Sequence, residues 1–378
     1  MRRRPSIVGR NIKILLIILV LATIGFGVFL YYLPHGKPDN LQTFALEARM
    51  PTPEEVRGIY ITSFVAAIPD LRKDLIDMVE QTELNTVVID LKDVQGQLAF
   101  QPKRDSFEKI EFSPMVINDL EAWIDDLHDK GIYTIARITV FQDSAVLDVH
   151  PEWAIRSAEG GIWQDWGGMA WVDPGCEEAW EYIADMSREA YDLGFDEINL
   201  DYIRFPSDGP TSKMVFYYHQ EDEKRKYQTL SEFFSWIDSN LHYLSMPMSV
   251  DLFGLTYLKQ NQEDDMNIGQ RVTDAAEHFD YLMPMVYPSH YPSGFLGFTN
   301  PAEYPYEIIK ESLVVGNEIL ESVGGNRGQT RPWIQDFNMG AEYTAEMVKE
   351  QIRAAREQGA NGWIAWNARN IYTADAYR

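Results

Sequence analysis

The sequence predicts a parallel α/β barrel of eight βα units, a TIM barrel, preceded by one N-terminal transmembrane helix. Three observations lead to this prediction. Short runs rich in Ile, Val and Tyr alternate with amphipathic helical stretches, which is typical of parallel sheets. Eight such runs follow one another, and eight parallel strands close naturally into a (β/α)8 barrel. The uncharged stretch from Ile14 to Leu33 has the length of a membrane-spanning helix.

The N-terminal stretch predicts an uncleaved signal anchor. Its apolar part ends in aromatic residues and Pro34, without the small residues of a signal-peptide cleavage site. The charged residues before it are all basic. The positive-inside rule therefore places residues 1–13 in the cytoplasm as a basic tail and the remainder of the chain outside. Residues 14–33 are then the transmembrane anchor, and the proline-containing residues 34–56 are a linker to the barrel at 57–378.

The barrel elements follow from periodicity and from glycines at helix ends. The predicted strands are Arg57–Phe64, Thr86–Leu91, Tyr133–Val140, Glu197–Ile203, Met248–Leu252, Tyr281–Tyr287, Pro332–Asp336 and Gly362–Trp366. The predicted helices are Pro69–Glu83, Asn118–Lys130, Glu177–Leu193, Tyr227–Leu244, Asp264–His278, Pro305–Ser322 and Thr344–Gln358. About twelve residues follow the last strand, so we expect the eighth helix to be missing or short, and part of residues 41–56 could cover that gap.

Three long strand-to-helix connections, 93–117, 141–176 and 206–226, leave the predicted C-terminal ends of strands. That end of the barrel is the active-site face, where loops of this length are usually functional. The second connection holds four of the ten tryptophans. They could stack on sugar rings or form a small core under the loop, and the sequence leaves both interpretations open.

The charge and the cysteine content of the chain limit the classes of ligand and cofactor that we expect it to bind. The chain carries 33 Lys and Arg against 58 Asp and Glu, a formal net charge of -25. Such a surface argues against nucleic acid as a partner and favours a neutral or cationic ligand. Cys176 is the only cysteine, so the chain forms no internal disulfide. Histidine and cysteine motifs typical of metal sites are missing from the sequence, and we expect neither a metal nor another cofactor.

Asp201 is the leading catalytic candidate. In the fourth predicted strand, Ile198 and Leu200 alternate with Asn199 and Asp201, so one face is apolar and the other is polar. The polar face points towards the barrel axis, and Asp201 lies at its C-terminal end. Glycosidic hydrolysis needs two carboxyl groups, one as acid and one as nucleophile or base. We therefore predict that Asp201 is one member of such a pair.

Two carboxyls could complete the pair. Asp251 has the same inward phase on the adjacent strand, close enough for the roughly 5 to 5.5 Å separation of a retaining pair. Asp336 lies across the barrel and would suit an inverting pair, although Gln335 could be the inward residue instead. Arg137 is expected to hold Asp201 ionised, which leaves Asp251 or Asp336 as the acid.

Other polar and aromatic residues near strand ends predict the substrate subsites. Carboxylates, amides and aromatic rings together are typical of a sugar site. The residues expected to bind substrate are Asp90, Lys92, Arg137, Asn199, Arg204, Tyr287, Gln335 and Trp366.

Five segments resemble a known bacterial family. They are Arg57–Thr62, Val88–Asp93, Gly194–Pro206, Tyr281–Tyr291 and Arg331–Phe337. They are similar to a glycosyl hydrolase domain long catalogued as a domain of unknown function and assigned to the glycosidase-like TIM barrels. The resemblance covers about Val56 to Asn367 and implies carbohydrate hydrolysis. The fourth-strand segment also resembles the chitinase-like D-x-x-D-x-D-x-E, but Ile203 stands where that motif has its catalytic Glu and Asn199 where it has its middle Asp. This departure argues against substrate-assisted chitinase chemistry.

Two functions are compatible with these features. The first is a membrane-anchored, cell-surface glycoside hydrolase that cleaves a polysaccharide or oligosaccharide with two carboxylates. The alternative is a carbohydrate-binding or cell-wall-organising barrel without catalysis, because a fold does not dictate a function. The sequence predicts neither the glycan nor the oligomeric state.

Overall fold

The computed structural model describes residues 49–110, 112–259, 261, 263–324 and 327–378. The predicted cytoplasmic tail and transmembrane anchor, and the linker up to residue 48, lie outside the described residues. No helix in the described ranges is both long enough and apolar enough to cross a bilayer.

The described residues form a closed parallel barrel of eight strands, as predicted. Each strand pairs with its sequence neighbours, and β8 pairs with β1 to complete the circle. Between β6 and β7 the contact is short, with Trp333 opposite Met285. The strands are β1 (Val56–Ile61), β2 (Thr86–Lys92), β3 (Tyr133–Thr139), β4 (Glu197–Asp201), β5 (Met248–Phe253), β6 (Tyr281–Met285), β7 (Trp333–Gln335) and β8 (Gly362–Trp366).

Seven helices of the described chain alternate with these strands around the barrel. They are α1 (Pro69–Glu80), α2 (Leu120–Asp129), α3 (Glu177–Asp192), α4 (Lys226–Leu241), α5 (Val272–His278), α6 (Pro305–Val323) and α7 (Ala345–Glu357). Shorter elements lie in the connections: helices Ser63–Ala66 and Ser144–Val149, and strands Arg156–Ser157, Met214–Val215 and Gln329–Thr330. The first two of these strands pair antiparallel and tie the two loops that follow β3 and β4.

Several predicted boundaries differ from the structure, among them the end of the first strand, which is Ile61 instead of Phe64, and two of these differences have clear local reasons. The fourth strand ends at Asp201 instead of Ile203, because Tyr202 adopts a positive φ of 52° that no strand can continue. The fifth helix begins at Val272 instead of Asp264. Its expected first turns are replaced by a loop in which the carboxylates of Asp264 and Asp265 accept hydrogen bonds from backbone N–H groups two residues later. Such bonds compete with helix formation.

The barrel has an inner and an outer face, and the period of two along each strand decides which residues occupy them. Ile198 and Leu200 of β4, and Val250 and Leu252 of β5, belong to the large cluster that packs under the helices. The inner apolar cluster consists of Val56, Tyr60, Val88, Tyr133, Ile135, Met283, Tyr287, Trp333 and Ile364. The predicted inward phase of Asn199, Asp201 and Asp251 is therefore confirmed.

A buried ion pair fills the N-terminal half of the barrel interior. Arg331 Nη1 lies 2.8 Å from Glu197 Oε1, and both side chains are fully buried. Tyr133 donates its hydroxyl to Glu197 Oε2 at 3.2 Å, and Tyr281 lies under the guanidinium with 3.7 Å between its ring centroid and Cζ. Such a pair needs these additional contacts to offset its desolvation. Because this pair fills the N-terminal half, the polar residues in the C-terminal half of the interior face only the C-terminal end of the barrel.

The C-terminal segment takes the place of an eighth helix. A short 3-10 turn, Ala374–Tyr377, follows β8, and the ring of Tyr377 stacks on Trp363 with centroids 5.7 Å apart. Of the described residues before β1, Arg49 binds the backbone carbonyl of Phe195, near the start of β4, whereas Glu55 binds Arg356 of α7. The chain end therefore completes the outer layer that the missing helix leaves open.

Asp336 holds this segment in place. Trp333 faces the barrel interior and Ile334 the outer core, so Asp336 shares the outward phase and Gln335 is the inward residue. The Asp336 carboxylate accepts hydrogen bonds from Thr373 N at 2.8 Å, Thr373 Oγ1 at 2.7 Å and the Tyr377 hydroxyl at 2.6 Å. Its side chain is thus committed to the C-terminal segment.

We expect Asp336→Ala to lower the free energy of unfolding by about 2 to 3 kcal/mol, because it leaves the buried Tyr377 hydroxyl and the Thr373 donors without an acceptor. Urea unfolding measures this change. The control is Asp375→Ala, which removes an exposed acid of the same segment and should change stability by less than about 0.5 kcal/mol. Equal midpoints for the two variants would contradict the role given to Asp336.

Candidate functional site

Charged side chains from four adjacent strands meet near the C-terminal ends of the strands. Asp90 lies on β2, Arg137 on β3, Asp201 at the end of β4 and Asp251 on β5. Each is at most 6% exposed. Since all four have the inward phase of their strands, the barrel brings together residues that are up to 161 positions apart in the sequence. This arrangement matches the predicted grouping of these four residues.

Arg137 connects two of the carboxylates. Its Nη1 donates to Asp90 Oδ1 at 2.5 Å, and its Nε donates to Asp201 Oδ2 at 3.1 Å. Nη2 also donates to Asp201 Oδ2. Burial opposes the charge of this guanidinium, but Asp90 and Asp201 outweigh burial and raise the pKa of Arg137 well above its usual value. The guanidinium is therefore a permanent cation between two strands.

Asp90 is the more enclosed of the two partners. The Tyr60 hydroxyl donates to its Oδ2, so both of its oxygens are engaged. Burial raises the pKa of Asp90, although Arg137 and the Tyr60 hydrogen bond partly offset that effect. Burial, and then the charge of Asp90, also raise the pKa of Tyr60 well above its usual value. Asp90 thus supports Arg137 from the side away from Asp201.

Asp201 is fixed in orientation at both oxygens. Oδ2 is bound by Arg137, and Oδ1 accepts from the backbone N–H of Tyr202 at 2.6 Å. Tyr202 reaches this position through its positive φ of 52°, a conformation that non-glycine residues rarely adopt and that clusters at functional sites. The strained turn after β4 therefore has a direct consequence for the candidate catalytic group.

Asp251 has a different environment. Its Oδ1 accepts from Trp333 Nε1 at 2.7 Å and from Asn199 Nδ2 at 2.9 Å, and its Oδ2 accepts no hydrogen bond from any described residue. Burial, and then the negative charge of Asp201, raise the pKa of Asp251 well above the usual range. The donors and the more distant Arg137 only partly offset this shift. Asp251 therefore holds its proton more tightly than an ordinary carboxyl does, beside an Asp201 that is paired with a cation.

Asn199 positions Asp251 from below. It is fully buried, and its Nδ2 also contacts Ser249 Oγ at 3.2 Å. Its Oδ1 is buried without a hydrogen-bond partner among the described residues. Ile203, at the position of the chitinase-like catalytic Glu, is fully buried in the outer core. The side chain at this position therefore does not reach the cluster of charged residues.

Aromatic rings line the other side of Arg137. Trp366 stacks on Tyr60 with ring centroids 4.0 Å apart, and Trp333 packs edge-on against Trp366 at 5.5 Å. The Arg137 Cζ lies 5.3 Å from the Trp366 ring centroid. Trp366 is partly exposed, whereas Tyr60 and Trp333 are buried. Sequence reasoning missed Tyr60 and Trp333 as site residues, although the alternation along β1 could have indicated Tyr60.

Tyr287 and Gln335 lie at the β6 and β7 side of the cluster. Burial, and then the charges of Asp251 and Asp201, raise the pKa of Tyr287 well above its usual value. Gln335 uses its amide to join two loops: Oε1 accepts from Ser289 N at 3.1 Å, and Nε2 donates to the Phe337 carbonyl at 2.9 Å. Tyr287 is therefore close to both candidate carboxyls, whereas Gln335 holds the loops around them.

Lys92 and Asp336 are not brought to the cluster. The register of β2 shifts between Asp90 and Lys92, and this irregularity changes the phase of Lys92. Its Nζ lies 2.6 Å from Asp143 Oδ2 in a fully buried pair and 4.9 Å from the ring centroid of Tyr182 on α3. Burial lowers the pKa of Lys92, and Asp143 partly offsets that effect. This contact indicates a structural role.

The four tryptophans of the loop after β3 were expected either to stack on sugar rings or to form a small core under the loop, and the structure separates them. Trp153, Trp163 and Trp171 are buried, at 9%, 1% and 0% exposure, and belong to the core under the loop. Trp166 is 77% exposed. Most of the group is therefore structural, and one indole remains available on the surface.

The described residues contain no group of three or more His, Cys, Asp or Glu arranged to hold a metal ion.

Solved structures with a similar fold include several glycoside hydrolases. The glycoside hydrolase domain of PgaB from Bordetella bronchiseptica is 14% identical, with 83% of this chain and 94% of that one covered and a TM-score of 0.58. Alpha-L-fucosidase isoenzyme 2 from Paenibacillus thiaminolyticus is 13% identical, with 85% and 48% covered and a TM-score of 0.57. The alpha-galactosidase of Thermus thermophilus is 14% identical, with 85% and 60% covered and a TM-score of 0.52. At these identities the similarity shows the fold alone.

No curated protein matches the chain. Residues 58–372 match the sequence profile of a family described as "putative glycosyl hydrolase domain". This match spans the barrel from β1 to the C-terminal segment and includes every residue of the cluster. The chain therefore belongs to this glycosyl hydrolase domain family.

Proposed function

We propose that the protein is a glycoside hydrolase that cleaves a polysaccharide or oligosaccharide, with Asp201 as nucleophile and Asp251 as general acid. One observation carries the proposal: two inward carboxyls on adjacent strands have opposite environments. Asp201 is paired with the Arg137 cation, whereas Asp251 is buried without a counter-charge of its own. A buried carboxyl whose pKa is raised is suited to act as the acid, and a carboxylate oriented by a cation is suited to act as the nucleophile.

The positions of the two strands favour a retaining mechanism. β4 and β5 pair with Leu200 opposite Val250, so Asp201 and Asp251 follow at neighbouring positions. Adjacent strands lie about 4.8 Å apart, close to the roughly 5 to 5.5 Å of a retaining pair. Asp251 gives its proton to the leaving oxygen while Asp201 bonds to the anomeric carbon. Asp251 then takes a proton from water, whose oxygen displaces Asp201 and restores both groups.

The stacked rings of Tyr60 and Trp366, which we call the aromatic wall, would receive the sugar. The partly exposed Trp366 presents an indole beside Arg137, and sugar rings pack their C–H faces on such surfaces. Tyr60, stacked behind Trp366, fixes the plane of the indole. Only the wall and the two carboxyls are needed for this reaction, and the mechanism uses no cofactor.

We expect Asp201→Asn and Asp251→Asn each to lower turnover by roughly 1000-fold, because each variant removes a group that acts on the reacting bond. The full-length chain in detergent is incubated with cell-wall and exopolysaccharide preparations, and new reducing ends are counted. Asp129→Asn, an exposed change at the end of α2, is the matched control and should retain full activity.

Full turnover by either variant would contradict its assignment. If wild type releases no reducing ends from any preparation but binds one of them saturably, and Asp201→Asn binds equally well, the barrel is a carbohydrate-binding protein instead.

The pH profile tests the acid. A general acid must carry its proton, so kcat/KM should fall as the pH rises through the raised pKa of Asp251. The Trp333 hydrogen bond favours the ionised form of Asp251 and lowers this pKa. Trp333→Phe removes it, and we therefore expect the alkaline limb to move to higher pH. Trp166→Phe, on the exposed indole, should leave the limb in place, and a shift to lower pH in Trp333→Phe would contradict the assignment.

We also propose that the enzyme acts at the cell surface, anchored by residues 14–33 with residues 1–13 in the cytoplasm. Support comes from the uncharged stretch and the basic residues before it. In expressing bacterial cells, the full-length chain should stay with carbonate-washed membranes, and protease added to intact cells should degrade the barrel. A shortened, soluble barrel in the medium would indicate cleavage instead of anchoring.

A further inference from the structure

Arg204 is a buried cation without a carboxylate partner. It is 8% exposed, and in the described part of the chain no carboxylate lies within ion-pair distance of it. Its one hydrogen bond runs from Nη1 to the backbone carbonyl of Phe205, at 3.1 Å. A guanidinium has five N–H donors, and a buried charge is costly unless it is paired. Arg204 therefore leaves most of its binding capacity unused.

Aromatic rings surround this guanidinium. Its Cζ lies 4.6 Å from the ring centroid of Phe253, 4.8 Å from that of Trp171 and 5.3 Å from that of Tyr202. Such contacts stabilise the cation and fix its orientation, but they offer no oxygen acceptor. Nε and Nη2 donate no hydrogen bond to a described residue and are not completely enclosed. The ring contacts thus hold donors ready for a group that arrives from outside.

Arg204 lies on the same face as the candidate catalytic pair. Tyr202 directly follows Asp201, and Phe253 ends β5 two residues after Asp251. The negative charge of Asp201 acts on Arg204, although the two groups form no ion pair. A sugar bound at Asp201 would therefore place one of its substituents near the free donors.

No carboxylate of the described residues pairs with Arg204, although several lie near enough to act on its charge. Burial lowers its pKa, and the more distant Asp201, Asp208 and Asp165 do not reverse that shift. Asp165 is already engaged by Trp171 Nε1 at 3.0 Å, and Asp208 is exposed to water. An additional anion would be bound more favourably here than a neutral group, because it would supply the missing counter-charge.

We propose that Arg204 binds the carboxylate of a uronic acid residue in the glycan, in a subsite beside Asp201. This inference rests on the proposed glycosidase function and names its substrate class. A planar guanidinium matches a planar carboxylate with two parallel hydrogen bonds.

The proposal differs from the neutral or cationic ligand that the net charge favours. That charge is spread over the whole chain, whereas beside Asp201 the Arg137 guanidinium is shared by Asp90 and Asp201 and the Arg204 guanidinium pairs with no carboxylate of the described residues. A ligand bound beside Asp201 meets the unpaired guanidinium of Arg204, and this local cation favours one carboxylate on the ligand.

The test compares matched glycans. Glucuronate and galacturonate oligosaccharides are offered to the full-length protein beside the same oligosaccharides after chemical reduction of their carboxylates to alcohols. Hydrolysis is measured with wild type, and binding with Asp201→Asn by calorimetry. We expect one uronate series to be preferred over its reduced counterpart by about 10- to 100-fold, the value of a charged hydrogen-bonded pair. Equal behaviour of every acidic and reduced pair would overturn the proposal.

Variants of Arg204 separate recognition from packing. Arg204→Gln should lower activity on the acidic sugar by a larger factor than on the reduced sugar and so lose the preference, and Arg204→Lys should keep part of the preference because it retains the charge. Arg356→Gln, on an exposed arginine of α7, is the control and should change neither. A purely structural role would lower activity on acidic and reduced sugars by the same factor in both Arg204 variants, and this outcome would contradict the proposal.

Three further outcomes are informative. If Arg204→Gln does not fold, the proposal is still tested by the preference of wild type for acidic over reduced sugars and by the size of that preference in Arg204→Lys. Sulfated derivatives of the reduced oligosaccharides are offered in the same assay, and a preference for them over the uronates would overturn the carboxylate assignment. Arg204-dependent binding of uronates without any release of reducing ends would support the subsite and contradict the hydrolase function, so the two proposals fail separately.

Discussion

The site depends on one buried guanidinium. Arg137 on β3 binds Asp90 of β2 and Asp201 of β4, so a single side chain joins three strands inside the barrel. Without this cation, two carboxylates would lie in a desolvated interior with no counter-charge. With it, Asp201 is oriented at the strand end, and the interior remains polar enough to hold further charged groups. The aromatic wall of Tyr60 and Trp366 packs against the same guanidinium.

The difference between the two candidate carboxyls follows from their distance to this cation. Asp201 is in direct contact with Arg137, whereas Asp251 is surrounded by an indole, an amide and apolar side chains. The Trp333 hydrogen bond to Asp251 comes from β7, across the barrel interior. Only a narrow closed barrel allows a side chain of β7 to reach a side chain of β5. Closure therefore contributes to the chemistry as well as to the fold.

The end of the chain also supports the site. Asn370 donates to the Tyr60 backbone carbonyl at 2.8 Å, and the Tyr372 hydroxyl accepts from the Tyr60 backbone N–H at 3.1 Å. Tyr60 in turn carries the hydrogen bond to Asp90 and the stack with Trp366. The segment that replaces the eighth helix, anchored by Asp336, thus braces β1 from outside. A barrel with a full eighth helix would have to support this strand differently.

The sequence by itself determined the barrel, its eight strands and the inward phase of Asp90, Arg137, Asp201 and Asp251, because alternation along a strand is a local property that the residues display directly. The tertiary structure decided the rest. β7 has only three residues, too few for the pattern to separate Gln335 from Asp336, and the register shift in β2 moved Lys92 out of phase. The Trp333 contact with Asp251 and the missing partner of Arg204 depend on residues far apart in the chain, and no local pattern encodes such contacts.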